Sequence, residues 1–215
     1  MKTVTSAQLP ALFEQVAEKM TEKEQTLCEM DAKLGDGDLG LTMRKGFSAL
    51  PDILRASEEH DMGKILIKTG TKLATVVPST MGTLMASGIM NGGLAILGEK
   101  EMDANIFCRY LHGFIQGIEK RGKCKKGDRT ILDAMAQAEE ELLQALKQEP
   151  AISLIQAGRI AAEGARKGTQ ATCKMKPKFG KAAIHVKEAV GVPDQGACAG
   201  MYMLEGFRDY FERSE

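Results

Sequence analysis

Asp31-Ala32-Lys33-Leu34-Gly35-Asp36-Gly37-Asp38-Leu39-Gly40 packs three carboxylates and three glycines into ten residues, between two segments that read as helices. Asp36 and Asp38 are two apart, and in an extended segment that spacing turns both side chains to one side. Gly35 and Gly37 let the backbone turn tightly where a Cβ would resist. Asp31, at the end of the preceding helix, reaches back into the same space. Three carboxylates held together repel one another unless a cation sits between them. Oxygen-only ligands select a hard ion, Mg2+ or Ca2+. The plainer reading is an acidic, Gly-rich turn that caps the next helix.

Three motifs can be tested against this loop. Gly35 to Gly40 spells G-x-G-x-x-G, but no strand precedes it and two of its variable positions are carboxylates that would repel a bare pyrophosphate. An EF-hand fails in both registers, because its third position falls on Lys33 or its fifth on Gly40. A P-loop is absent; the nearest approach, Gly122 to Gly127, continues Asp128-Arg129. What survives is a phosphate site in which metal ions stand between the carboxylates and the anion.

At 215 residues the chain is long enough for one sizeable core. Lys and Arg (29) balance Asp and Glu (29), so bulk charge points to neither nucleic acid nor an acidic membrane as partner. Cys28, Cys108, Cys124, Cys173 and Cys198 are odd in number and form no C-x-x-C, which fits reduced thiols. The N-terminus has no apolar core of a signal peptide. The most apolar stretch, Leu84 to Leu97, is interrupted by Gly88, Asn91, Gly92 and Gly93 and is too short and polar to span a bilayer. The expectation is a soluble cytoplasmic protein.

Nearly every apolar run repeats at helical spacing, and no period-two strand stands out. Stripes begin at Leu9 (with Thr5 or Ser6 as N-cap), Met43, Met62, Ser79, Ile106, Thr130, Ala151 and Gln195. Pro51 is expected to kink or restart its helix, Val77-Pro78 to end one, and Asp128 to cap the helix from Thr130. Glycines 88, 92 and 93 each cost roughly 1 kcal/mol against alanine inside a helix, so close helix packing is the expected compensation. Residues 168–193 carry Lys174, Lys176, Lys178 and Lys181 with little periodicity, and read as a long functional loop. Eight helices without a linker or repeat imply one all-α domain covering residues 1–215.

Taken together, these residues resemble the nucleotide-binding (L) subunit of dihydroxyacetone kinase. The acidic loop with Thr42-Met43-Arg44-Lys45-Gly46-Phe47 carries the likeness, as does Arg121 to Asp133, which is similar to the family's R-G-K-x-x-x-G-D-K-T-M-x-D. Asp194-Gln195-Gly196-Ala197 sits where the family has D-P-G-A. The likeness is collinear over essentially the whole chain. It implies a barrel of eight antiparallel helices with a nucleotide, ADP or ATP, at one end and two Mg2+ ions on its phosphates. Asp31, Asp36 and Asp38 match the metal ligands; Leu39, Gly40, Leu41 and Thr42 would lie at the phosphates, where helix N-terminal amides favour anions. Ser79, Thr80 and Met81 match a phosphate-contacting stretch, Gly122 and Ile131 base-site positions, Lys181 an arginine, and Asp194, Gln195 and Gly196 the closing loop. Three aspartates and a diphosphate of about −3 gather near −6, which two Mg2+ bring to about −2 and Lys181 lowers further.

The resemblance also implies division of labour: a separate K subunit holds the ketose through a histidine, and this chain supplies no covalent nucleophile. Leu39 stands where carrier-driven L subunits have histidine, Lys181 replaces a guanidinium, and Thr80-Met81 is bulkier than the usual pair. The donor is therefore left between ATP and a phosphocarrier protein of the phosphotransferase system, the acceptor between dihydroxyacetone and another short ketose, and a homodimer stays open. Two other classes remain: a non-catalytic Mg-nucleotide sensor and a helical Ca2+ module. His60, His112 and His185 show no metal spacing and read as structural or solvated, and the 13 methionines as core packing.

Overall fold

A computed structural model describes residues 3–213. Its helices in chain order are α1 (Leu9–Glu22), α2 (Glu24–Leu34), α3 (Leu39–Arg55), α4 (Met62–Val76), α5 (Thr80–Ala95), α6 (Ala104–Gly122) and α7 (Ile131–Gln148). They continue with α8 (Leu154–Ala171), the four-residue α9 (Val186–Ala189) and α10 (Gln195–Arg213). Each of the eight apolar stripes is a helix. Two were not separately legible: α9, and α2, which buries only Leu27, Asp31 and Leu34 and so shows little periodicity. Two-residue strands β1 (Val4–Thr5) and β2 (Glu101–Met102) pair antiparallel, Val4 opposite Met102. Two residues are too few to display an alternation, which is why the sequence concealed them.

The eight long helices pack in a cyclic order of neighbours: α1 on α3, α3 on α4, then α5, α6, α7 and α8 in turn, α8 on α10, and α10 back on α1. The aromatic centre of the core lies where α1, α6 and α10 meet. Phe207 stands edge-on to Phe13 at 5.7 Å between centroids, and Phe107 edge-on to Phe211 at 5.5 Å. Burying one such ring contributes on the order of 2–3 kcal/mol, and edge-to-face pairing adds about 1 kcal/mol. Met20, Met43, Met62, Met85, Met102, Met135 and Met203 fill the remaining space. The small residues of α5 do admit close packing: a Cβ on Gly92 would stand 2.5 Å from the Tyr110 ring of α6.

Helix ends follow their caps. Ser79, Asp103 and Ser153 accept from the amides of Gly82, Ile106 and Gln156 at the starts of α5, α6 and α8. Three details differ from the sequence reading. Thr130, in a capping box with Asp133, caps α7 in place of Asp128, whose carboxylate instead accepts from the Lys125 amide at 2.9 Å. Pro51 lies inside an unbroken α3, its ring buried against the core, so apolar contact offsets the missing amide. Finally, α8 runs on to Ala171, and residues 172–193 hold short helical turns rather than a structureless loop. No helix among the described residues is long and apolar enough to cross a membrane.

Candidate functional site

Four of the long helices, α3, α5, α7 and α10, begin at one cleft of about 310 Å³. It is lined by Asp38, Leu39 and Thr42 from α3, Ser79 to Met81 from α5, Arg129 to Ile131 from α7, and Asp194 to Gly196 from α10. Each helix start presents amides without an intrahelical partner and the positive end of its dipole, so the cleft favours an anion. Opposite them, the end of α2 brings in Asp31 and the turn that follows it.

Asp31, Asp36 and Asp38 are brought together, each offering an oxygen within 4.8 Å of the others. No other group of three His, Cys, Asp or Glu side chains among the described residues is so disposed. The turn is not the extended segment expected: Gly37 has φ +78° and Asp38 has φ −106°, ψ 0°, so a left-handed glycine curls the loop around Asp31. Asp31 is buried, and its Oδ2 accepts from the amides of Gly37 (2.9 Å), Asp38 (3.1 Å) and Leu39 (3.3 Å). Asp36 is exposed and paired with Lys181 across the cleft. That ammonium holds the Asp36 carboxyl below its usual range, and Asp36 in turn raises Lys181.

The start of α3 differs from the other three. Ser79, Thr130 and Asp194 each accept from an amide of their own helix, at 3.0, 3.2 and 2.9 Å. Asp38 makes no such bond; Asp31 takes the Leu39 amide, and the amides of Gly40 and Leu41 are left uncapped by the N-cap side chain. Gly40 is needed here, because a Cβ would run into the Glu24 carbonyl of α2.

The segment between α8 and α10 forms the remaining wall through Phe179, Gly180, Lys181 and Ala182. It is pinned down. Ala182 and Ala189 pack on Leu34, and Lys178 pairs with Asp128 at 2.6 Å, so Lys178 is not a free loop lysine; Lys174 and Lys176 are exposed. Arg129, with φ +61° and a fully buried side chain, donates to Asp194 Oδ1 (3.2 Å) and to the carbonyls of Ala189 (3.0 Å) and Val192 (3.1 Å). Burial pushes Asp194 up to about 6 even though Arg129 and the Ala197 amide pull the other way.

Most residues singled out in the sequence therefore line one cleft: Asp31, Asp36, Asp38, Leu39, Thr42, Ser79, Thr80, Met81, Ile131, Lys181, Asp194, Gln195 and Gly196. Three do not. Gly40 is buried beneath α2, Leu41 is 47% exposed on the outer face of its turn, and Gly122 lies behind the cleft-lining Leu84. Arg129, Thr130 and Phe179 were missed as wall residues; the basic turn before α7 gave no hint that its last cation is buried. Larger grooves of about 490 Å³ along α3 and α4 and about 510 Å³ over α6 and α7 hold no comparable cluster.

Known proteins share this arrangement of sequence. D-erythrulose kinase of Mycolicibacterium smegmatis is 31% identical over 187 residues, 86% of this chain and 32% of that protein. The ADP-binding subunit DhaL of the PEP-dependent dihydroxyacetone kinase of Escherichia coli is 29% identical over 185 residues, 86% of this chain and 87% of that one. The dihydroxyacetone kinase of C. freundii, solved with AMP-PNP and Mg2+, superposes with a TM-score of 0.72 at 23% identity, over 98% of this chain and 35% of that one, which shows a common fold. The chain thus spans about a third of the two larger kinases and most of the length of the E. coli subunit. The DAK2 domain model matches residues 33–209, more than four-fifths of the sequence, and the chain belongs to the DAK2 domain family.

Proposed function

We propose that this chain is the cytoplasmic nucleotide-binding subunit of a dihydroxyacetone-type kinase. It holds Mg2+ with ADP or ATP in the cleft and passes a phosphoryl group to a short ketose, dihydroxyacetone or a four-carbon relative, bound on a separate K subunit. One observation carries this reading: three carboxylates face four helix starts across a single cleft. An anion suits the helix starts and a cation suits the carboxylates, so a metal-phosphate ligand satisfies both walls at once.

The residues fit such a group. Asp31 is held in place by the three amides that donate to its Oδ2. Asp36 and Asp38 complete an all-oxygen set suited to Mg2+, with two ions implied by the family likeness. The start of α3, whose N-cap side chain bonds none of its own amides, meets the cleft through Leu39 and Thr42, and Ser79 to Met81 line it from α5. Leu84, Ile131 and Met81 offer an apolar bed for a base. Mg2+, when bound, screens the phosphates and neutralises charge on the transferred group. The chain itself contributes by positioning the ligand and excluding water.

The test is calorimetric binding of ADP and ATP with Mg2+ and with chelator, followed by coupled ketose phosphorylation. Affinity that needs Mg2+, no turnover by the chain alone, and turnover once a K subunit and a donor (ATP or a phosphorylated carrier) are added would support the proposal. Tight Mg-nucleotide binding with silence under every partner and donor would favour a nucleotide sensor. Equal binding with and without chelator would defeat the metal-bridged site.

A further inference from the structure

Lys181 reaches Asp36 from the segment between α8 and α10, and two adjacent residues before α7, Asp128 and Arg129, hold that segment on both sides of it. Just ahead of Lys181, Lys178 pairs through Nζ with Asp128 Oδ1 at 2.6 Å and donates its amide to the Asp128 carbonyl at 3.3 Å. Beyond it, the Arg129 guanidinium donates to the carbonyls of Ala189 (3.0 Å) and Val192 (3.1 Å) and to Asp194 Oδ1 (3.2 Å). From Ala189 the hold runs back along the chain. The Ala189 amide donates to the His185 carbonyl and the His185 amide to the Ala182 carbonyl, both at 3.0 Å, and Ala182 follows Lys181 directly. Ala182 and Ala189 also pack together on Leu34 at the end of α2.

Local preference does not put Arg129 where it is. Its φ of +61° is a left-handed backbone that a residue with a Cβ resists, and its side chain is fully buried, where a guanidinium is admitted only when paired. Such a conformation persists where the surroundings over-determine it, and the surroundings here are the segment that carries Lys181. The planar fork meets one carboxylate and two carbonyls at once, which the single nitrogen of a lysine cannot do. What is held has two opposed effects. As counter-ion of Asp36, Lys181 competes with a cation bound alone; beside a bound diphosphate it adds positive charge.

We infer that Asp128 and Arg129 are positioning residues for Lys181: they clamp the chain on either side of it and so fix its ammonium between the acidic cluster and the nucleotide. The inference rests on the reading of the cleft as a metal-nucleotide site.

The experiment measures, on the full chain, Mn2+ affinity without nucleotide by electron paramagnetic resonance and ADP affinity in saturating Mn2+ by calorimetry. Lys181→Gln is the reference. Arg129→Lys keeps the charge and loses the fork, whereas Asp128→Ala removes a negative charge. Both should follow the reference in direction, with Mn2+ alone about threefold tighter and ADP with Mn2+ about fivefold weaker, the scale of an exposed ion pair and of a cation beside phosphate. A through-space field predicts otherwise: no change for Arg129→Lys, and for Asp128→Ala weaker Mn2+ and tighter ADP. Either variant combined with Lys181→Gln should bind both ligands as Lys181→Gln alone does. Should Asp128→Ala fail to fold, Arg129→Lys carries the comparison by itself. Unchanged affinities in Arg129→Lys, loss of both affinities together, or additive effects with Lys181→Gln would overturn the inference while leaving the metal-nucleotide site in place. A wild-type chain that binds no ADP with Mn2+ would overturn both.

Discussion

Lys181, in the segment between α8 and α10, pairs with Asp36 of the acidic loop, 145 residues away in sequence. The clustered carboxylates thus already have a counter-ion supplied by the chain, and a divalent cation must compete with it. Both partners are more than half exposed, so the pair is screened by salt and is weak glue. Its consequence lies in titration. Lys181 holds the folded Asp36 carboxyl below its ordinary value, so the linked stability is present above about 3.8 and is lost as pH falls through the depressed value. Lys181→Gln should move the Asp36 titration, followed by carboxyl-carbon NMR, up toward the ordinary range. The same variant should bind Mg2+ alone a few-fold more tightly and Mg-nucleotide less tightly, since it loses both the competitor and a cation beside the phosphates. An unmoved titration would remove the pair from solution.

Asp31 and Asp36 share a site but not a structural role, and an asparagine at each should separate the two. Asp31 is buried and organises three amides, so Asp31→Asn weakens those bonds and should cost about 1–3 kcal/mol of apo stability. That corresponds to a melting temperature lower by roughly 3–9 °C for a chain of this size. Asp36 is exposed and touches the fold through Lys181, so Asp36→Asn should leave the melting temperature almost unchanged. Both should lose the stabilisation that Mg2+ and ADP confer together. Equal destabilisation by the two variants would mean that the whole loop, and not Asp31 alone, is structural.

Gly35 offers a test of how rigidly Asp31 is held. A Cβ there would collide with Asp31 Oδ1 and stand 3.0 Å from Cγ. A free carboxylate could swing aside, but this one is tethered by three amides, so Gly35→Ala must either break them or shift the turn. The expected outcome is a fall in Mn2+ affinity of more than tenfold with a loss of stability of about 1–2 kcal/mol, by titration and denaturant melts. Unaltered metal affinity would show that Asp31 relaxes freely.

How much of this was legible follows from the range of each interaction. Eight helices could be read because stripes such as Ile106, Phe107, Tyr110, Leu111, Phe114 repeat at 3.6 residues, a local signal. The acidic cluster was legible as composition, since Asp31, Asp36 and Asp38 are close in the chain; the left-handed Gly37 that gathers them was read as freedom to turn, not as the wrong side of an extended strand. Arg129 was invisible. Its burial depends on Asp194 and on the carbonyls of Ala189 and Val192, 60 to 65 residues away, and an arginine in Lys-Lys-Gly-Asp-Arg gives every appearance of a solvated turn. Asp128 likewise sat at a capping distance from α7, but Thr130 with Asp133 formed the better box. Of the lysines in 168–193, the resemblance singled out Lys181 alone, and periodicity did not separate Lys174, Lys176 and Lys178; the fold gives Lys178 to Asp128 and Lys181 to Asp36, and leaves Lys174 and Lys176 exposed.

Asp194 gives the fold a pH dependence of opposite sign to that of Asp36. Burial raises its folded value to about 6, above the 3.8 of an ordinary aspartate, despite Arg129 at 3.2 Å. A raised carboxyl binds its proton more tightly folded than unfolded, so its linked stability is fully present below about pH 4 and is lost as pH rises through about 6. The full span corresponds to at most about 3 kcal/mol, one unit being about 1.4 kcal/mol. Other carboxylates, Asp36, Asp128 and Asp209 among them, shift the other way, so the raw profile of the wild type mixes both. The difference isolates it: stability of the wild type minus that of Asp194→Asn, by denaturant melts without metal or nucleotide, should fall as pH goes from 4.5 to 7. Because Asp194 also anchors the amides that start α10, the variant should be less stable at every pH, and it is the slope of the difference that decides. A flat difference would mean that Arg129 keeps Asp194 ionised throughout, and that the pair serves as a fixed anchor for the wall carrying Gln195.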